Sequence, residues 1–250
     1  TTKKGREGLD FNFRFNQTFE DFDYDLRPLN TAQRAQSVWQ AAINDGSNPD
    51  RASALYTFDW NKDYDNPELY KVILPAFTDP NGVQRPADTD WFNEVTRSSQ
   101  VRDLNLSLSG GSDSSRFYTS LGYFNAEGVV DGSKFERIAF RVNSDHDLIE
   151  NKLKVGQTLL VTNQRANLIN DLAGSILGLS IEQQSIVPVY NDAGGWGGPV
   201  PGITDRDNPV GIIERNRDNN HTFNKFQGSF FLEYSPIEDL KLRSSVGIDY

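Results

Sequence analysis

Cysteine is absent from this chain of 250 residues. That excludes a disulfide framework, a thiolate metal site and a cysteine nucleophile, and leaves the compartment open. Histidine is scarce: His146 and His221 stand far apart with no second histidine at ligand spacing, so a histidine metal site is not expected. Positive charge is in deficit, with 35 acidic against 25 basic residues and a net charge of -10. That is the wrong sign for a surface that neutralises phosphates, and it excludes nucleic acid as a partner. No apolar run approaches the ~20 residues that a membrane-spanning helix needs. The first residues, Thr1-Thr2-Lys3-Lys4-Gly5-Arg6-Glu7-Gly8, carry charge without the apolar centre of a secretion signal, so the sequence is mature or lacks its beginning. G-x-S-x-G, H-E-x-x-H and P-loop patterns are missing too, and nothing in the spacing of the many carboxylates selects a catalytic pair. No catalytic residue is nominated, and an enzyme is not expected.

The mean hydropathy of -0.59 does not exclude a membrane β-barrel, whose strands need only about 10 residues with every second one apolar. That pattern is abundant. Leu9, Phe11, Phe13 and Phe15 alternate with Asp10, Asn12, Arg14 and Asn16, and a period of two sends the two sets to opposite faces of a strand. Leu104, Leu106 and Leu108 alternate with Asp103, Asn105, Ser107 and Ser109. Phe117, Thr119, Leu121 and Tyr123 stand against Arg116, Tyr118, Ser120 and Gly122. The stretch Phe135 to Leu148 sets Ile138, Phe140 and Val142 against Arg137, Arg141 and Asn143. Leu153 to Asn163 follows, with Leu160 out of place on the polar side. Phe223 to Tyr234 has Phe231 intruding among Lys225, Gln227, Ser229 and Glu233, and Leu240 to Tyr250 is the seventh such segment.

The links alternate between short and long. Gly111 to Ser115, Ile149 to Lys152 and Ser235 to Asp239 are tight, whereas Thr18 to Gln100, Ala126 to Lys134 and Arg165 to His221 are longer. Up-and-down membrane barrels have tight turns on the inner side and long loops on the outer side, so the first strand is expected to run outward. Within the first long loop, Asn30 and Thr31 offer an N-cap to Ala35, Val38, Trp39, Ala42 and Ile43 at helical spacing, ended by Asp45-Gly46. Leu168 to Ile181 predicts a second short helix, before the glycine-rich Asn191 to Pro199. The expected fold is all-β: an antiparallel up-and-down transmembrane barrel, partial with about seven strands, carrying short helices in its outer loops. A soluble or surface-anchored β-rich glycan-binding module, built as a sandwich, is the alternative.

The wording of these strands resembles a known family. Leu104-Asn105-Leu106-Ser107-Leu108-Ser109-Gly110-Gly111, Phe117 to Gly128, Ser133-Lys134-Phe135-Glu136-Arg137, Phe140-Arg141-Val142-Asn143 and Leu153-Lys154-Val155-Gly156 resemble the first barrel hairpins of SusC/RagA-type TonB-dependent transporters. Asp90-Trp91, Pro188-Val189-Tyr190 and Leu240 to Ser245 are similar to it as well. The resemblance implies an outer-membrane importer of glycans or peptides in a Gram-negative bacterium, capped by a SusD-like lipoprotein and energised by the TonB complex through a plug. It implies a barrel of about 22 strands, of which this chain would be the first part, with residues 1–8 as the junction from the plug and 9–250 as barrel.

Aromatics near strand ends, Phe15, Tyr123, Phe124, Phe135 and Tyr234, are expected to form an interface girdle. Trp39, Trp60, Trp91, Tyr190 and Trp196 in the outer loops are candidates for stacking on a sugar or docking a partner, or for packing among the loops themselves. Asp59, Asn61, Asp63 and Asp65 have the spacing that begins a calcium loop, but Tyr64 stands where the EF-hand needs glycine and Tyr70 where it needs glutamate. An acidic, solvated loop is the better account of them, and of Asp21, Asp23 and Asp25. No cofactor is expected beyond that weak calcium candidate.

Overall fold

A computed structural model describes residues 8–23, 27–149, 152–167, 169 and 175–250. The alternating segments form one antiparallel sheet of seven strands, each paired with the next in the chain. The strands are β1 (Gly8–Glu20), β4 (Ser99–Gly111), β5 (Ser115–Glu127), β6 (Lys134–Leu148), β7 (Leu153–Asn167), β8 (His221–Ile237) and β9 (Leu240–Asp249). Two further strands, β2 (Thr57–Trp60) and β3 (Leu69–Ile73), make a separate hairpin inside the first long link. Helices α1 (Thr31–Asn44) and α2 (Trp91–Val95) also belong to that link, while α3 (Ile176–Glu182) and α4 (Pro209–Asn216) belong to the second. The sheet is an open meander with β1 and β9 at its edges.

The register turns the alternation of single strands into two continuous surfaces. Phe13, Leu106, Leu121, Phe140, Val161 and Phe226 stand side by side in one row. The adjacent row on that face holds Phe11, Leu108, Thr119, Val142, Leu159, Gly228 and Ile248. A row on the other face reads Asn12, Ser107, Ser120, Arg141, Leu160, Gln227 and Asp249. A slip of one residue anywhere would exchange the two faces, so the apolar set specifies the pairing. No second sheet covers the apolar face among the described residues: Phe11 is 65% exposed and Val246 62%. A sandwich buries such a face against a partner sheet.

The strands are longer than the apolar alternation. β1 continues to Glu20 and β4 begins at Ser99, so the first long link is 21–98 rather than 18–100; β7 continues to Asn167, so the second is 168–220 rather than 165–221. Main-chain ladders need no apolar side chains, and they continue into a polar zone that holds Gln17, Arg102, Asn125, Glu136 and Arg165. The links β4–β5, β6–β7 and β8–β9 are tight, as expected.

The girdle expectation needs correction at two residues. Phe124 pairs with Arg137, and Phe135 pairs with Ala126, both on the polar face. Their rings meet edge to face at 6.0 Å, and the Arg137 guanidinium lies 5.5 Å from the Phe124 ring. Tyr123 and Phe124 are consecutive, so a strand must send them to opposite sides.

Phe231, the aromatic out of pattern in β8, also has a place on the polar face. It pairs with Gly156, and the Arg243 guanidinium sits 4.0 Å from its ring. A Cβ at position 156 would lie 2.3 Å from the ring and 3.1 Å from the Ser144 carbonyl. Glycine there is a recess for the ring. We predict that Gly156→Ala in the full-length protein lowers its unfolding free energy in urea by about 1–3 kcal/mol through overpacking. Phe231→Leu in the same background should return part of the loss; strictly additive effects would show that ring and glycine do not share the site.

Candidate functional site

The two long links fold together into one unit beyond the long-loop end of the sheet. Its first element is α1, where the Asn30 side chain accepts from the Gln33 N–H at 2.8 Å and the Gln33 side chain accepts from the Asn30 N–H at 3.1 Å. This reciprocal cap sets the start of the helix. From there Thr31, Ala35, Trp39 and Ala42 form its buried stripe. The β2–β3 hairpin supplies Phe58 and Trp60 from alternate positions, α2 supplies Trp91, and the second link supplies Ile186, Val187 and Val200. Together with Ala35, Trp39 and Tyr56 these residues make one apolar core.

Main-chain and amide hydrogen bonds join the links. Residues 87–89 run beside 185–187: the Ala87 N–H donates to Ile186 O at 3.0 Å, and the Thr89 N–H to Ser185 O at 2.8 Å. The buried Gln84 amide donates to Thr78 Oγ1 at 2.9 Å and accepts from the Gly198 N–H at 2.7 Å. Asn208 caps α4 by accepting from the Gly211 N–H, and its amide donates to the carbonyls of Val189 and Gly197. A buried amide satisfied in this way fixes one arrangement of three backbone segments.

A smaller apolar cluster of Val95, Ile176 and Ile213 brings α2, α3 and α4 against Val130 in the β5–β6 link. Beside it Asp131 receives Arg97 Nη1 at 3.1 Å and Arg217 Nη2 at 2.9 Å, while Arg217 also pairs with Glu214. The two carboxylates hold the pKa of the Arg217 guanidinium well above its usual range, chiefly by accepting its hydrogen bonds, first Glu214 and then Asp131. Asp131 therefore ties both long links to the rim of the sheet.

The candidate residues divide on burial. Trp39, Trp60 and Trp91 are 5%, 4% and 3% exposed. Trp39 and Trp60 meet edge to face at 6.2 Å, and Trp91 Nε1 donates to Gln184 O at 3.1 Å. These three rings are packing residues and offer no face to a ligand. Tyr190 is 59% exposed, and its ring lies 4.9 Å from the half-buried ring of Trp196. This pair flanks the turn Asn191 to Gly195, where the main chain returns so closely that a Cβ on Gly197 would sit 1.7 Å from Pro188 O. Tyr190 and Trp196 are the candidates that keep aromatic surface available.

The acidic run in the β2–β3 loop serves the backbone. Asn61 Oδ1 accepts from the N–H groups of Asp63 and Glu68, and Asp63 Oδ1 accepts from those of Asp65 and Asn66. These side chains build successive turns, and among the described residues no group of three or more acidic, histidine or cysteine side chains converges as a metal site would require. Nearby, Lys62 Nζ holds both oxygens of Asp50 at 2.8 Å, and Trp60 Nε1 donates to Asp50 Oδ1 at 3.2 Å; the Lys62 hydrogen bond keeps the Asp50 carboxyl below its ordinary range. Asp21 and Asp23 are exposed, Asp23 at the edge of a 580 Å³ cleft between Asn30 and Trp91; Asp25 lies outside the described residues. His146 is near the tight-turn end of the sheet against Ser115 Oγ at 3.1 Å, and His221 opens β8 at the long-loop end.

No protein-family profile matches the chain. Among curated proteins it is 34% identical over 174 residues to TonB-dependent receptor P26 of Formosa agariphila, an alignment that covers 68% of this chain and 17% of that protein. It is 25% identical over 186 residues to TonB-dependent receptor SusC of Bacteroides thetaiotaomicron, covering 66% of the chain and 18% of SusC. The chain belongs to the SusC/RagA-like TonB-dependent receptors. Solved structures of the RagAB peptide importer share its fold: the closed-closed state aligns with a TM-score of 0.61 at 18% identity over 99% of this chain and 29% of that one. The open-open state gives 0.61 at 20% identity, covering 99% and 28%. These relatives bear the names of receptors and importers, not enzymes. The receptor chain spans less than a fifth of the length of the curated relatives it matches.

Several residues that shape this receptor's outer unit escaped the sequence reading. Phe58 and Trp60 alternate with Thr57 and Asp59, a strand pattern hidden by the acidic spacing that overlaps it. Asn208-Pro209 carries the cap-then-proline start of α4. Gln84 and Asp131 gave no local signal, because Gly198, Arg97 and Arg217, the partners that join them to other segments, are remote in sequence. Trp39→Ala should destabilise the outer unit by about 3–5 kcal/mol, whereas Tyr190→Ala should change stability by less than about 0.5 kcal/mol. Hydrogen exchange over α1 and 185–200 in the full-length receptor measures both; equal effects would contradict the division into packing and exposed aromatics.

Proposed function

We propose that this chain forms part of the wall and outer mouth of a TonB-dependent importer in the outer membrane of a Gram-negative bacterium. The importer takes up glycans or other large nutrients, peptides included, and works with a SusD-like lipoprotein over its outer opening. The TonB complex drives it through a plug domain. The observation that carries this reading is the continuous apolar face of seven strands, backed by a continuous polar face.

On β6 the face that carries Ile138, Phe140 and Val142 ends at Leu148, with Ser144 and His146 between Val142 and Leu148. At about 3.3 Å per residue and a tilt of roughly 40°, that span is about 25 Å tall, the height of the apolar band of an outer-membrane barrel. Above it come Lys134 and Glu136, and below it the tight turn, as two aqueous boundaries require. The polar face then borders the lumen, with Asn12, Ser107, Arg141 and Gln227 exposed to plug or solute. The names of SusC and of the RagAB peptide importer support a solute-importing role and a paired assembly; whether the cargo is saccharide or peptide belongs to the loops and the plug.

Val142 lies near the middle of the apolar band and Ser107 on the polar face. Val142→Lys should cost the inserted full-length receptor about 2–4 kcal/mol, while Ser107→Lys should be tolerated. Folded receptor in outer-membrane fractions measures the difference; equal tolerance of the two substitutions would overturn the membrane assignment. A SusD-type lipoprotein should co-purify with the tagged receptor, and a complex that never retains one would remove that partner.

A further inference from the structure

The first long link carries the one Asn-Gly pair in the sequence, Asn81-Gly82. Both residues are exposed, at the turn Asp79-Pro80-Asn81-Gly82. Pro80 sets the entry to that turn, and Gly82, at a φ of 67°, leaves it in the left-handed region that glycine adopts freely. Beyond its chain neighbours, a Cβ at position 82 would meet only the edge of the Phe77 ring, at 3.9 Å, so the approach to the Gly82 nitrogen is open. That nitrogen donates one long hydrogen bond, 3.4 Å to Asp79 O. The side-chain amide of Asn81 makes no hydrogen bond among the described residues, where only its main-chain N–H is engaged.

Other loop asparagines are held. Asn61 Oδ1 accepts from the N–H groups of Asp63 and Glu68 while its amide donates to Asn66 O. Asn191 Oδ1 accepts from those of Ala193 and Gly195 while its amide donates to Trp196 O. Each is also followed by a residue with a side chain, Lys62 and Asp192.

A free asparagine amide beside an unhindered peptide nitrogen is placed for an intramolecular reaction. The Gly82 nitrogen, on losing its proton, attacks Asn81 Cγ. A new C–N bond forms, the bond from Cγ to Nδ2 breaks, and the amide leaves as ammonia after taking up a proton, closing a succinimide. Water then opens the ring at either carbonyl, giving aspartate or isoaspartate. We propose that Asn81 is a site of spontaneous deamidation, and that its isoaspartate form loosens the joint between the two long links.

The second half follows from what the next residues hold. Isoaspartate routes the main chain through its own side-chain methylene and so lengthens the backbone just before Gly82. The Asp79 carboxylate accepts from the N–H groups of Asn81, Val83 and Gln84 at 3.0, 3.0 and 2.6 Å, an arrangement set by the present spacing of those groups. Val83 O accepts from the Asp192 N–H at 2.8 Å, and the Gln84 amide ties Thr78 to Gly198. A longer backbone at position 81 shifts Val83 and Gln84 against these partners in the second link. The inference does not rest on the import reading.

Ageing the detergent-purified full-length receptor at mildly alkaline pH, beside its Asn81→Gln variant, tests both halves. Peptide mass mapping with isoaspartyl methyltransferase labelling should find isoaspartate at position 81 forming severalfold faster than at Asn61 or Asn191, and faster as pH rises, because the Gly82 nitrogen must lose its proton. Hydrogen exchange should then show the Asp192 and Gly198 N–H groups exchanging severalfold faster in the aged receptor than in the fresh one. Equally aged Asn81→Gln, in which the larger ring closes slowly, should keep the fresh protection. Freshly prepared Asn81→Asp, which adds the charge without lengthening the main chain, should keep it too. Absence of isoaspartate at position 81, formation at Asn61 or Asn191 at a comparable rate, unchanged exchange in the modified receptor, or equal loosening by Asn81→Asp would each overturn the proposal.

Discussion

Main-chain hydrogen bonding between neighbouring strands, from β1 to β9, is the interaction on which the rest of this structure depends. Each strand alone is a weak amphipathic ribbon. Pairing places Phe13 beside Leu106 and Leu106 beside Leu121, so that seven short alternations become one apolar surface and one polar surface. On the proposed membrane reading an unmade backbone bond in hydrocarbon costs several kcal/mol, so such a wall tolerates irregularity only where it leaves the apolar zone. The one register shift in the large sheet, between Tyr234 and Ile237, falls beside the tight turn that joins β8 to β9.

Above the wall a different kind of cohesion takes over. The outer unit is held by a side-chain core in which indole and phenol rings from three short elements meet, and by buried amides that each satisfy several backbone groups. Gln84 acts at the seam between the two links, Asn208 joins segments within the second link, and Asp131 acts at the seam between the unit and the sheet. Long links of this kind usually run over a surface as mobile segments. Here enough apolar area and enough remote hydrogen bonds offset the entropy of ordering them.

What could be seen in the sequence follows from the range of the forces involved. Period-two alternation is local, so all seven sheet strands were legible, together with the alternation of tight and long links and the helix capped by Asn30. Faces were legible too, except where consecutive aromatics such as Tyr123 and Phe124 were placed together although a strand must separate them. The tryptophans were legible only as a pair of options, because a ring's burial depends on which remote segment comes to lie over it. Trp91 is covered by residues near Gln184, more than ninety positions away. The acidic run at Asp59 to Asp65 suggested a cation because side-chain oxygens that cap turns and oxygens that bind metal share a spacing.

The seam between the two links also bears on how such a unit can change over time. Because Ile186, Val187 and Val200 complete a core begun by Ala35, Trp39 and Phe58, neither link is a separately exchangeable cassette. Recombination that imported one loop from a distant homologue would bring half a core and half of each hydrogen-bonded seam. Diversification is then channelled to positions that the seam does not use, the turn around Tyr190 among them, while the paired links are inherited as a single block.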